Sequence, residues 1–221
     1  MDWQALKLSL ELAAVTLIVL LPPGVWLARW LASTDFVGKS WLEALVILPL
    51  VLPPTVLGYY LLVSLGGASP LGRWVDETFG IRLTFNFLGL VLASVIFNVP
   101  FLVQPVQRAF EAIPRQLAEA AAVSGLRAWQ TFFRIELPLA WPGILSAMVL
   151  TFVHTLGEFG VVLMIGGSIP GETRTIALSI YDRVQAFDIV SANRMALVLL
   201  LFSLAAVAAS FFASARLVLR R

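Results

Sequence analysis

The sequence predicts an all-α membrane protein of about five transmembrane helices, and three observations carry that expectation. Hydrophobic residues make up 60% of the 221 positions and charged residues only 13%, and the mean hydropathy is +0.93, far above what a soluble core requires. The apolar residues are gathered into runs of about 20 or more, the length at which a helix crosses hydrocarbon. One polar, helix-forming stretch at 119–138, reading EAAAVSGLRAWQTFFRIELP, interrupts these runs and has the composition of a docking element.

The first run, 8–30, is preceded by no basic leader or small-residue cleavage site. It is expected to be a retained helix, not a signal peptide. The second, 41–65, contains Pro49, Pro53, Pro54 and Gly58, so a bent helix is expected there. The third, 84–107, contains Pro100 and Pro105, and its Asn98, Gln104 and Gln107 are expected to make hydrogen bonds between helices. Each proline, including Pro22 and Pro23 in the first run, releases backbone groups that lipid cannot satisfy. These kinks should either face protein or a water-filled path, or only shape helix packing.

Pro114 suits a helix start and Gly125 a left-handed helix end, which predicts a short helix over 114–124. Beyond Gly125, Leu126, Trp129 and Phe133 recur at helical spacing. A second short helix is expected there, ended by Pro138, which disfavours helical geometry at Leu137. The fourth run, 139–165, holds the costly intramembrane Glu158 within His154-Thr155-Leu156-Gly157-Glu158-Phe159-Gly160. Gly157 and Gly160 would allow close helix approach, and Phe159 would plug a narrow path. Glu158 either shapes a gate or ties helices together through Arg194, and the two roles are compatible. His154 is expected to be a buried hydrogen-bond partner. An ordered loop with turn chemistry at Pro170-Gly171 and a short amphipathic stretch follow, and then the fifth run, 191–219. A sixth span would have to use 176–187, which is short and carries Asp182 and Arg183.

Several function classes are excluded. With no cysteine and a single histidine, disulfides, thiolate sites and a metal cluster are not expected, and no cofactor is implied. The pI near 9.4 comes from dispersed basic residues with no dense patch, so no nucleic-acid partner is expected. Val37-Gly38-Lys39-Ser40 is not a phosphate-binding loop, because Ser33 stands where that motif needs its first glycine. No nucleophile with a base and no carboxylate pair is apparent. The chain is therefore not expected to be an enzyme, and any energy source lies on another chain. Without repeats or linkers, 1–221 is expected to be one membrane domain.

Glu119, Ala120 and Ala121, then Gly125 four residues on, then Ile135, Leu137 and Pro138, resemble the cytoplasmic signature loop of bacterial ABC importer permeases. The resemblance implies a type I permease fold, with a coupling loop over about 109–138 that docks on the ATP-hydrolysing subunit. Together with GEFG (157–160), IPGETRTIALSIYD (169–182) and LPLVLPPTVLGYYLLV (48–63), the chain is similar over nearly its whole length to permeases of the molybdate importer family. Sulfate and thiosulfate permeases carry a related Gly-Glu-aromatic-Gly element and form the alternative; a secondary transporter or channel is the alternative from another class.

The implied partners are a second copy of the chain, two ATP-binding cassette ATPases, an extracellular or periplasmic molybdate-binding protein and membrane lipid. The implied pathway and gate residues are Gly157, Glu158, Phe159, Gly160, Pro53 and Pro54. With five spans and a cytoplasmic signature loop, the N-terminus lies outside and the C-terminus inside. Arg29, Lys39, Arg108, Arg115, Arg127, Arg134, Arg216, Arg220 and Arg221 are then inside, against six basic residues outside, a modest positive-inside bias. Because molybdate is a dianion, Glu158 is expected to be paired or protonated and to shape the gate without binding substrate.

Overall fold

The structure is a computed structural model that describes residues 1–219, with side chains through Phe212. Arg220 and Arg221, expected on the inside, lie outside the described residues, as does the side chain of Arg216. The helices are α1 (Trp3–Ser33), α2 (Lys39–Val51), α3 (Pro54–Leu65), α4 (Pro70–Phe79), α5 (Phe87–Glu111), α6 (Arg115–Val123), α7 (Ala128–Thr131), α8 (Leu137–Leu156), α9 (Gly160–Gly166), α10 (Ile176–Gln185) and α11 (Ile189–Leu219). A π-helical turn, Phe132–Glu136, joins α7 to α8 without a break. Among the described residues, four stretches are long and apolar enough to cross a membrane: Trp3–Ser33, Phe87–Glu111, Ala128–Leu156 and Ile189–Phe212. The bent pair α2 and α3 makes a fifth if it is counted as one span.

Helix α5 is the axis of the bundle, with α1 and α8 packed along it and α11 laid on the outside of α8. The reason is legible along α1. Its buried residues Leu8, Leu12, Thr16, Leu20, Gly24, Ala28 and Leu31 recur every three or four positions and form one stripe that faces α5. A side chain at Gly24 would stand 2.5 Å from Leu102 of α5, so the glycine sets the closeness of that crossing. Both helices are started by side-chain caps: Asp2 accepts from the Ala5 N–H at 3.0 Å, and Asn86 accepts from the Gly89 N–H at 2.8 Å.

The run 41–65 bends as expected, and so sharply that it forms two helices whose axes differ by 106°; Leu52 is extended and Pro53 stands at φ −54°, ψ 133°, so the chain turns there. Two expectations are corrected. The run 139–165 breaks at Gly157–Phe159, and the crossing helix instead begins upstream, at Ala128. Pro138 ends nothing: Leu137 is helical at φ −60°, ψ −47°, and Pro138 sits in the first turn of α8, which follows the π turn directly.

The other prolines behave differently from one another. α1 runs through Pro22 and Pro23, and α5 through Pro100 and Pro105. Pro49 and Pro100 are buried, whereas Pro22 and Pro23 are exposed on this chain. The short helix α4 was not anticipated. It is capped by Ser69, and its exposed Leu71, Trp74 and Phe79 give it the composition of a helix that lies along a membrane surface.

Candidate coupling loop and translocation site

The signature stretch folds as a turn between two short helices. Pro114 caps α6, and the helix ends in a Schellman motif: the Gly125 N–H donates to Ala122 O and the Leu126 N–H to Ala121 O, both at 3.0 Å. Gly125 has φ +77°, a conformation that glycine takes without strain. Ala121 is the one buried residue of α6, while Glu119, Ala120 and Gly125 stand exposed and Val123 is 91% exposed. The helix therefore presents nearly its whole circumference outward. Gln130 accepts from the Arg127 N–H at 2.9 Å and starts α7, from which Trp129 and, one turn on, Phe133 project outward.

Ile135 and Leu137 are half-buried and Pro138 is exposed. Between them Glu136 makes a 2.5 Å ion pair with Arg29 of α1. The Arg29 guanidinium lies 5.0 Å from the Phe132 ring centroid, within cation–π range. Nearby, Asp35 meets Lys39 at 3.4 Å and Arg115 of α6 at 3.9 Å. A polar cleft of about 560 Å³ lies between these ties, with Glu111 and Glu119 on its wall.

The expected gate residues come together at the two helix breaks. A side chain on Gly160 would stand 2.9 Å from Pro54 Cβ and 3.2 Å from the Thr55 nitrogen. One on Gly58 would stand 2.8 Å from Met164 Cβ and 3.1 Å from Val161 Cα. Helices α3 and α9 thus cross backbone to backbone, and Pro53 and Pro54 lie exposed at the start of α3. Gly157 is also exposed and meets only the His154 carbonyl oxygen, at 3.6 Å, so it is not a close-approach glycine. Phe159 is half-buried, with its ring 4.9 Å from that of Tyr181 on α10.

Glu158, 3% exposed, points into α5. It accepts from the Ser94 hydroxyl at 2.5 Å and from the Asn98 amide. The same amide nitrogen donates to Ser94 O at 2.8 Å, so both of its hydrogens are used. Asn98 Oδ1, which can only accept, faces His154 Nδ1 at 3.0 Å, so the ring carries its proton there. The imidazole stacks on Phe101 at 3.7 Å. This closed network replaces the anticipated link to Arg194, which is exposed on α11. It fastens the broken α8–α9 joint to the central helix.

At the far end of the bundle, residues 166–175 form an ordered loop. Buried Thr173 donates to Gly166 O at 2.7 Å and accepts from the Ile169 N–H at 3.0 Å. Arg174 joins Ser168 and Asp182. Ser9 accepts from the Ile176 N–H at 2.8 Å, and Ser179 donates to Asp2 at 2.9 Å, tying α10 to the start of α1. Partial burial pushes the Asp2 carboxyl up. The Ala5 N–H, the Ser179 hydroxyl and the Arg174 and Arg183 charges outweigh that and hold it below the usual range.

Sequence reasoning found the turn at Gly125 and the interhelical roles of Asn98 and of Gln107, which donates to Glu43 at 2.9 Å. It missed Ser94 as a Glu158 partner and the Arg29–Glu136 pair. The members of that pair are separated by 107 residues, and no local pattern links them.

A "Molybdenum transport system permease protein ModB" of Azotobacter vinelandii is 49% identical over 203 residues, which cover 91% of this chain and 89% of the relative. A "Sulfate transport system permease protein CysT" of Escherichia coli (strain K12) is 36% identical over 181 residues, covering 82% of this chain and 65% of that protein. Among solved structures, a chain from a bacterial alginate ABC transporter in complex with an alginate pentasaccharide-bound periplasmic protein matches with a TM-score of 0.78. It is 20% identical, and the match covers 96% of this chain and 78% of that one; at that identity the likeness speaks for the fold. Residues 21–221 match the family model described as the binding-protein-dependent transport system inner membrane component, and the chain belongs to that family of multi-pass membrane permeases.

Proposed function

We propose that this chain is the permease subunit of an ATP-binding cassette importer that passes molybdate, and with it tungstate, across the cytoplasmic membrane into the cell. The observation that carries the substrate is the identity of 49% over 91% of the chain to a relative named for molybdenum transport, against 36% to one named for sulfate. Sulfate or thiosulfate is the second reading, and the latter relative is what favours it. Two copies enclose the path, two ATPase subunits dock under the exposed α6, and a binding protein delivers the oxyanion from outside. The N-terminus is outside and the signature loop in the cytoplasm.

ATP binding closes the ATPases, moves α6 and turns the path outward; hydrolysis resets it inward, which is alternating access driven in trans. Glu119, Ala120, Ala121, Gly125, Ile135, Leu137 and Pro138 form the docking loop, and residues 1–221 act as one membrane domain. The gate lies at Pro53, Pro54 and Gly157–Gly160. Glu158, with its carboxylate engaged by Ser94 and Asn98, shapes the gate without binding the dianion. Uptake by the Glu158→Gln variant should stay near that of the unmodified complex, and its loss would show that the charge itself is required.

The deciding experiment is uptake into proteoliposomes that hold this chain with its ATPase and binding protein, comparing labelled molybdate and sulfate. ATP-dependent molybdate uptake blocked by tungstate and not by sulfate is expected. A preference for sulfate moves the chain to the second reading, and uptake indifferent to ATP makes it a secondary transporter.

A further inference from the structure

Two ties join the α1–α2 segment to the two ends of the signature loop, and they differ in strength. Asp35–Arg115 is a 3.9 Å contact between side chains 83% and 87% exposed, and a pair so solvated holds little. Arg29–Glu136 is a 2.5 Å contact between side chains 30% and 17% exposed, and Phe132 supplies a ring face to the same guanidinium. Phe132 in turn packs near Phe110 at the end of α5, with ring centroids 6.3 Å apart. Arg29 is rooted in α1 between buried Ala28 and Leu31. A force on the loop therefore reaches α1 through a polar tie at this pair, beside the apolar packing of α8 on α1.

Glu136 is also the last residue of the π turn, which is closed by the Leu137 N–H on Phe132 O. A π turn places an extra residue in the helix, so the elements on its two sides are rotated by about 100° relative to a continuous α-helix. Single π turns are frequent at functional sites and are among the few places where helices kink. We propose that Phe132–Glu136 is the hinge of the signature loop and that Arg29 and Glu136 are positioning residues through which movement of α6 is passed to α1. This rests on α6 being the ATPase-docking helix. Neither side chain touches substrate.

The test uses the full complex in proteoliposomes and reads uptake per ATP hydrolysed, which a loss of folded protein would not change. Glu136→Gln and Arg29→Met should lower that ratio about tenfold while ATP hydrolysis continues, a size ordinary for coupling between sites. Arg29→Lys should stay within about threefold, and Arg29→Glu combined with Glu136→Arg should recover most of what either reversal loses. A ratio for Glu136→Gln within about twofold of the unmodified complex, or a swap no better than the single reversals, overturns the proposal.

A second measurement does not depend on which ion is carried. Spin labels at Val123 on α6 and Ile18 on α1, 91% and 70% exposed, should give a narrow distance distribution that widens in Glu136→Gln. Equal widths overturn the proposal. A complex that takes up no molybdate refutes the functional reading, while the label distances still decide the role of the pair.

Discussion

Replacing Asn98 by Leu removes three contacts at once: the bonds to Glu158 and to Ser94 O, and the one to His154. In a soluble protein, a bond to a charged group is worth about 1.5–3 kcal/mol and each neutral one about 0.5–1.5 kcal/mol, together about 2.5–6 kcal/mol. In a membrane the unfolded chain finds other partners, and measured interhelical bonds average nearer 0.6 kcal/mol with a maximum of about 1.7 kcal/mol. The lower scale is the one used here, since Asn98 lies on the candidate span α5 and Glu158 two residues past the end of the candidate span Ala128–Leu156. Asn98→Leu should therefore cost about 2 kcal/mol, most of it from leaving a buried carboxyl with a single donor. Glu158→Met should cost a similar amount, and the double variant about 1 kcal/mol less than the sum. Unfolding of the purified chain by detergent titration in mixed micelles measures all three. Additivity within about 0.5 kcal/mol would refute the claim that the α8–α9 joint is held by one connected network.

Two glycines make opposite predictions. Gly160→Val meets the ring carbon Pro54 Cβ at 2.9 Å and backbone atoms of Thr55 and Pro54 at 3.2 and 3.3 Å, none of which can swing away, so it should destabilise the bundle by about 1–3 kcal/mol in the same titration. Gly125→Val meets nothing within 4 Å but must hold φ +77°, a strain of about 1–3 kcal/mol confined to one turn; detergent stability should be unchanged while co-purification with the ATPase and uptake are lost. For Asp2, the lowered carboxyl means that its stabilising contacts are complete above the unfolded value and are lost as pH falls through the lower folded one. Exchange of the Ala5 amide should therefore be insensitive to ionisation of Asp2 from pH 5 to 8 and accelerate only below about pH 4, and Asp2→Asn should remove that acid dependence.

How much could be read beforehand follows from the range of each interaction. The turn at Gly125 was legible because a Schellman motif is closed by bonds five residues apart or fewer, within reach of a local pattern. The proline run at 49–54 announced a bend, but its 106° angle comes from the packing of α3 on α9, which brings together Gly58 and Val161. Pro138 misled because the rule for the residue before a proline is a preference, and the π turn that precedes Leu137 is signalled by no composition. Glu158 was visible as a costly charge, yet its partners could not be chosen: Ser94 and Asn98 lie about 60 residues away on α5, and the more obvious cation, Arg194, turned outward. The helix α4 was overlooked because its apolar residues are too few for a span and mixed with Arg73, Asp76 and Glu77.

The contacts that hold the start of α1 also order events during synthesis. Ser9 waits for the amide of Ile176, 167 residues later, and Asp2 for Ser179, 177 residues later. At roughly 5–20 residues per second, that is about 8–35 seconds in which the first helix has its end unfastened. A nascent chain arrested before residue 176 therefore holds a complete α1–α5 crossing but no clasp at that end. A ribosome-bound intermediate of this length therefore presents the polar side chains of Asp2 and Ser9 without the partners they have in the finished fold.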